Sequence, residues 1–173
     1  MTARAVHLVN LIFLVAWFAI AITIWPTLPE QLPIHFGVTG QADAWVAKSV
    51  FSWFGLPFLA FAMSVGIAGV GLLARGSPDL VNVPDKERFL RLSEDRRAAI
   101  IQRFVRTLAI TGLLCSLMFA ALHAGVYHTA SGRATGLPWY TNAVMAAAVV
   151  GMIAVAILDN RAAGEEIARW SGE

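Results

Sequence analysis

Four runs free of Asp, Glu, Lys and Arg constrain this chain more than anything else in it: 5–25, 51–74, 107–127 and 140–158. Each is close to the roughly 20 residues that a helix needs to cross a hydrocarbon core about 30 Å thick. Lipid offers the backbone no water, so every N–H and C=O must pair within its own segment or within a closed barrel. The alternating pattern of barrel strands is missing, which leaves helices. Composition points the same way, with 58% hydrophobic and 14% charged residues where a soluble domain carries about 25% charge. The expected fold is an all-α integral membrane protein of four transmembrane helices in an up-down bundle. One domain covers 1–158, and 159–173 forms a tail.

Arg4 before the first run and Ala19-Ile20-Ala21 within it imitate an export signal. The apolar stretch continues through Ile22, Ile24 and Trp25, beyond the about 7–15 residues of such a signal, so a retained span is expected. Orientation follows from the basic residues. Arg75, Lys86, Arg88, Arg91, Arg96, Arg97, Arg103 and Arg106 lie between the second and third runs, Arg4 precedes the first, and Arg161 and Arg169 follow the fourth. The other two connections hold Lys48 and Arg133. By the positive-inside rule, the N and C termini, 75–106 and the tail are cytoplasmic, while 26–50 and 128–139 face outward. Trp25, Trp45, Trp53, Trp139 and Tyr140 then fall near the outer interface, where amphipathic rings settle. The net charge of +2 is a matter of topology, and no nucleic-acid partner is expected.

Small residues recur on single helix faces at Ala62, Gly66 and Gly69, and at Ala143, Ala147 and Gly151. Such stripes let backbones approach closely, so packing within the bundle is expected, with a dimer seam as the alternative. Cys115 is read as a small packing residue inside the third span. On the cytoplasmic side, Gly76-Ser77-Pro78 breaks the second helix and Pro84 permits a new start. Phe89, Leu90 and Leu92 among Lys86, Arg88 and Arg91 read as an amphipathic piece lying on the inner leaflet. Arg96 and Arg97 join them as contacts for anionic lipid. Ser93 is placed to cap the next helix, which runs on through Ile100, Ile101 and Phe104 into the third span.

The outer loop concentrates the polar chemistry of the first half. His35, with Asp43 and Lys48, could bind a peptide or a lipid headgroup, or sense pH, because imidazole changes charge in the physiological range. The plainer expectation is that His35 and Asp43 hydrogen-bond each other or the backbone in a hairpin-like loop turned at Thr39-Gly40. Gly40 would then supply the positive φ, and Phe36 and Trp45 would pack on the helix ends. No metal or other cofactor is expected: His35, His123 and His128 share the outer half, but His123 and His128 are not at the helical i, i+4 spacing that chelates well. No enzyme is expected either, since no nucleophile motif surrounds Ser131, Asp43 or His128. His123, Asn10, Thr111, Ser116 and Asn142, the polar residues within the spans, are read as helix-to-helix hydrogen bonds.

Leu28-Pro29, Pro33-Ile34-His35-Phe36, Gly40, Asp43-Ala44-Trp45 and Lys48 together resemble the outer loop of SdpI-type bacterial membrane proteins, in their N-terminal domain of unknown function. A looser similarity runs through 81–97. The resemblance implies a multi-pass protein of the bacterial cytoplasmic (inner) membrane with an immunity or signalling role against a secreted peptide. Longer family members continue into a second, immunity-associated membrane half, and the present sequence has four spans. The leading expectation is a non-enzymatic module that recognises a peptide, lipid or envelope ligand through His35, Phe36, Asp43, Trp45 and Lys48. The alternatives are an accessory subunit of a larger membrane complex and a metal- or haem-binding membrane protein. Membrane lipids and another membrane protein are the other partners expected.

Overall fold

The structure, a computed structural model, describes residues 1–172. In chain order it contains α1 (Ala3–Ile24), β1 (Gln31–Phe36), β2 (Ala42–Ala47), α2 (Val50–Gly76), α3 (Lys86–Arg91), α4 (Glu94–Ala130) and α5 (Trp139–Ser171). Helices α1, α2, α4 and α5 are each long and apolar enough to cross a membrane. Their ends follow local chemistry. Thr2 accepts the Ala5 N–H at the start of α1, and Pro26 sits in the 3-10 turn that ends it. Ser49 and Ser52 form a reciprocal capping box that opens α2. Ser93 occupies the cap position of α4, but its side chain makes no capping bond there; Glu94 and Asp95 in the first turn suit the positive end.

Helix α4 is the hub and packs against α1, α2 and α5. With 37 residues it is roughly 55 Å long, well beyond the hydrocarbon thickness. The apolar run in the sequence begins at 107, whereas the helix begins at Glu94 with turns rich in arginine. Helix α5 behaves alike. The stretch 159–173, expected as a tail, continues α5 through Ser171, with Ala163 and Ile167 buried against Phe89, Ile100 and Ile101. Hydropathy marks where lipid ends, and a helix may continue wherever protein rather than lipid covers it. The core divides into three clusters: one at this basic end, one around Leu14, Trp17 and Ala60, and one around Ala21, Leu28, Leu32, Trp53 and Val126 beneath the strands.

Two packing expectations need correction. Ala62, Gly66, Ala143 and Ala147 face outward, and a Cβ on Gly66 or Gly69 would meet nothing within 4 Å. Within the expected stripes, Gly151 is the glycine that packs closely, against Leu114. The close approaches lie at other glycines: Gly71 on Val105, Gly112 on Ile67, and Gly125 on Leu137 and Thr141. Small residues permit contact from either side of a helix, and the partner's side chains decide which side is used.

Helix α3 is the second correction. Phe89 is fully buried and Leu92 nearly so, both inside the basic-end core, so the apolar face of α3 covers protein rather than the leaflet. Asp85 starts this helix in a left-handed conformation, with φ 49° and its carboxylate accepting the Arg88 N–H. Lys86 folds back to donate to the carbonyls of Asp79 and Val81.

Candidate functional site

The loop between α1 and α2 is a two-stranded antiparallel hairpin that lids one end of the bundle. Its register pairs Gln31 with Ala47, Leu32 with Val46, Pro33 with Trp45, His35 with Ala44, and Phe36 with Ala42. The register skips Ile34 on one strand and Asp43 on the other, and past the buried Leu32 and Pro33 the bulge leaves Ile34 and His35 both at the surface. At the tip, Gly40 adopts φ 78°, as a turn at Thr39-Gly40 requires, and its N–H donates to Gly37 O at 2.8 Å.

The hairpin is fastened at both ends. At its base, the Lys48 N–H donates to Glu30 O at 2.8 Å. The Lys48 ammonium donates to Leu28 O at 3.1 Å and lies over the Trp25 ring, 4.9 Å from its centroid. At its tip, the Leu137 N–H donates to Gly40 O at 2.8 Å, and Gln41 bridges to Gly136. A Cβ on Gly136 would collide with the Gly40 carbonyl, so this stitch to the α4–α5 connection depends on glycine. Thr129 holds the same connection by donating to Gly136 O at 2.9 Å. The sequence reading missed this second anchor, whose one local signal is the Gly136-Leu137-Pro138 turn.

The surface residues of the hairpin divide into two groups. His35 and Asp43 meet, with Nδ1 2.5 Å from Oδ1, and both remain exposed, at 67% and 52% of their side chains. Trp45 is also exposed and does not pack on a helix end as expected. Phe36 does pack inward, against the cluster around Trp53, and Lys48 is spent at the base. The exposed residues of the hairpin thus include Ile34, His35, Asp43 and Trp45, together with Val38 at the tip, but not Phe36 and Lys48.

Directly beneath lies a buried histidine that links three of the spans. His123 is 5% exposed and stands between two indoles. Trp17 Nε1–H donates to its Nδ1 at 2.9 Å, and its Nε2 lies 3.0 Å from the Trp53 carbonyl oxygen. Since Nδ1 accepts, the proton resides on Nε2 and is donated to that carbonyl. The carbonyl needs a donor because residue 57, four positions on, is Pro57 and has no N–H to complete the helical bond. Trp53 in turn donates its indole N–H to Ala21 O at 3.0 Å, tying α2 to α1. Trp53 is thus a core residue, 1% exposed, and not a member of an interfacial aromatic belt.

Both ring nitrogens of His123 are occupied and His35 is paired with Asp43, while His128 packs edge-on against Tyr127 and Tyr140. Among the described residues, no three or more His, Cys, Asp or Glu gather as metal ligands would. Of the other polar residues in the spans, Asn10 does bond across helices, donating to Ser64 at 2.9 Å. Ser116 bonds to Gly112 O of its own helix, and Asn142 is exposed.

The basic residues expected at a lipid surface are mostly engaged in the fold. Arg96 donates to Trp170 O and Arg97 to Leu90 O, each at 2.9 Å, and Lys86 is held by its two carbonyls. Arg88 and Arg91 remain on the surface, beside Asp85 and Glu87.

Fold and surface together define a multi-pass membrane protein with four spanning helices and a hairpin lid at one end. The model of a family described as Domain of unknown function (DUF1648) matches residues 11–61. That stretch takes in much of α1, the whole hairpin and the start of α2 as far as Pro57 and just beyond. No curated protein and no solved structure matches the chain.

Proposed function

We propose that this chain is a non-enzymatic recognition module of the bacterial cytoplasmic membrane, of the SdpI-type N-terminal kind, with an immunity or signalling role. Its hairpin faces outward, because the arginine-rich end and both termini stay in the cytoplasm under the positive-inside rule. The observation that carries this reading is the exposed face of Ile34, His35, Asp43 and Trp45 on a hairpin fixed at tip and base. An exposed hydrogen-bonded pair adds little to stability. A rigid patch that joins an aromatic side chain to a polar pair binds without a large ordering cost. A secreted peptide, a lipid or an envelope component would meet it there.

Native mass spectrometry of the protein, purified gently from its own membrane, tests the reading. A retained peptide or small molecule that is lost in His35→Ala and Trp45→Ala, with membrane abundance unchanged, supports it. Equal loss of protein level in both variants would make the hairpin a purely structural lid.

A second reading, an accessory subunit of a larger membrane complex, is favoured by Ala62, Gly66, Ala143 and Ala147, which face outward in open space. Stoichiometric foreign subunits in the same spectrum would support it, and a bare monomer would count against it.

A further inference from the structure

At the end opposite the hairpin, a half-open groove of about 1250 Å³ runs between the start of α1, the end of α2, the first turns of α4 and the last turns of α5. Arg4, Arg75, Arg97, Arg103 and Arg106 line it, together with Met1, against the acids Glu94 and Glu166. These arginines are not equivalent. Arg103 bonds to Glu166 and lies 4.0 Å from Asp159, and Arg97 is held by Leu90 O. Arg4 and Arg75 make no hydrogen bond or salt bridge with the described residues, and Arg106 makes none either, although its charge acts on Asp159 of α5. They are three guanidinium groups from three different helices that line one groove, and none is tied down by a hydrogen bond.

Helix geometry says what kind of anion fits. Arg4 and Leu8 are four residues apart on α1, and Leu72 and Arg75 three apart on α2, so these two arginines each share a face with a leucine one turn deeper. Leu8, Leu72 and Leu73 are 58%, 66% and 62% exposed and belong to helices apolar enough to span a membrane. A soluble anion would use the guanidinium groups alone. A phospholipid would use both parts, its phosphate forked by arginine and its acyl chains laid on the exposed leucines.

We propose that this groove binds the phosphate of an anionic phospholipid headgroup through Arg4, Arg75 and Arg106. The site is distinct from the surface arginines of α3 and independent of the hairpin's role.

The test reconstitutes the full chain in nanodiscs of equimolar phosphatidylcholine and phosphatidylglycerol and counts retained lipid by native mass spectrometry. The variant carries Arg4→Gln, Arg75→Gln and Arg106→Gln; a charge-removing control carries Arg88→Gln and Arg91→Gln on the same end. Wild type and control should retain phosphatidylglycerol over phosphatidylcholine, and the triple variant should lose that preference by about tenfold or more. Since the three side chains have no internal bonds, its helical circular dichroism and elution volume should match wild type. Equal losses in variant and control would overturn the proposal in favour of a diffuse surface charge. Displacement of the lipid by millimolar inorganic phosphate, with no residual preference between the two lipids, would overturn the lipid as occupant and leave a soluble phosphate site.

Discussion

At the hairpin end, Leu32 and Trp53 are buried under a two-stranded ladder whose backbone groups satisfy one another. At the basic end, Phe89 and Val81 are buried under helical turns and short connections, and exposed backbone carbonyls there draw cations: Lys86 to Asp79 and Val81, Arg97 to Leu90, Arg96 to Trp170. A ladder covers the bundle without using charged side chains, apart from Lys48 at its base. Helix ends leave carbonyl oxygens unpaired, so a lid made of them consumes basic residues. The comparison teaches that counting charges misjudges which are available to a partner. At the basic end Lys86, Arg96, Arg97 and Arg103 are spent within the fold while Arg4, Arg75 and Arg106 carry no such bond, whereas the hairpin end has few charges and keeps His35 and Asp43 at the surface.

The strongest way to break this comparison is to empty each lid's core. Phe89→Ala and Trp53→Ala should each cost about 3–5 kcal/mol, measured by unfolding in detergent. Were α3 lying on lipid with Phe89 facing outward, the first substitution would leave the midpoint unchanged. Next in size is His123→Leu, which strands the Trp53 carbonyl and the Trp17 indole N–H and should cost roughly 2–4 kcal/mol. Adding Pro57→Ala to that variant restores an N–H four residues after Trp53. The double variant should therefore be more stable than the sum of the single effects implies, and strict additivity would show that His123 does not serve that carbonyl.

Gly136→Ala sharpens the comparison at the hairpin tip. A Cβ there collides with Gly40, and the shift it forces should cost about 1–3 kcal/mol. Hydrogen exchange at the Leu137 amide should accelerate with it, and unchanged protection would mean that the tip is not stitched. The smallest effect belongs to His35→Gln and Asp43→Asn. An exposed pair contributes little, so neither should move the unfolding midpoint beyond its scatter. A drop as large as that of Gly136→Ala would make the pair part of the lid's structure.

Local chemistry explains what was legible beforehand. The hairpin's turn at Gly40 and the His35–Asp43 pairing could be read, because contacts eight residues apart across a tight turn are nearly local. The packing of Trp45 on a helix end and the place of Phe36 and Lys48 at the binding face were misjudged, since the bulge at Ile34 and the reach of Lys48 to Leu28 O depend on how the strands sit on the bundle. The Trp17–His123–Trp53 network brings together three spans, and Pro57 marked it only faintly as a proline inside an apolar run.

The same division holds for the molecule as a whole. By itself the sequence determined that four segments are helices long enough to span a membrane, and where each enters and leaves its apolar stretch. Partition between lipid and water acts on each segment separately, and backbone groups in lipid have one local solution. Only the tertiary structure decided which face of each helix packs, that Ala62 and Gly66 look outward while Gly71 and Gly112 are covered, and that Phe89 turns into protein. In a soluble helix the apolar stripe announces the buried face. In these spans every face is apolar, so the buried one is chosen by shape and by hydrogen bonds between helices, which no single segment contains.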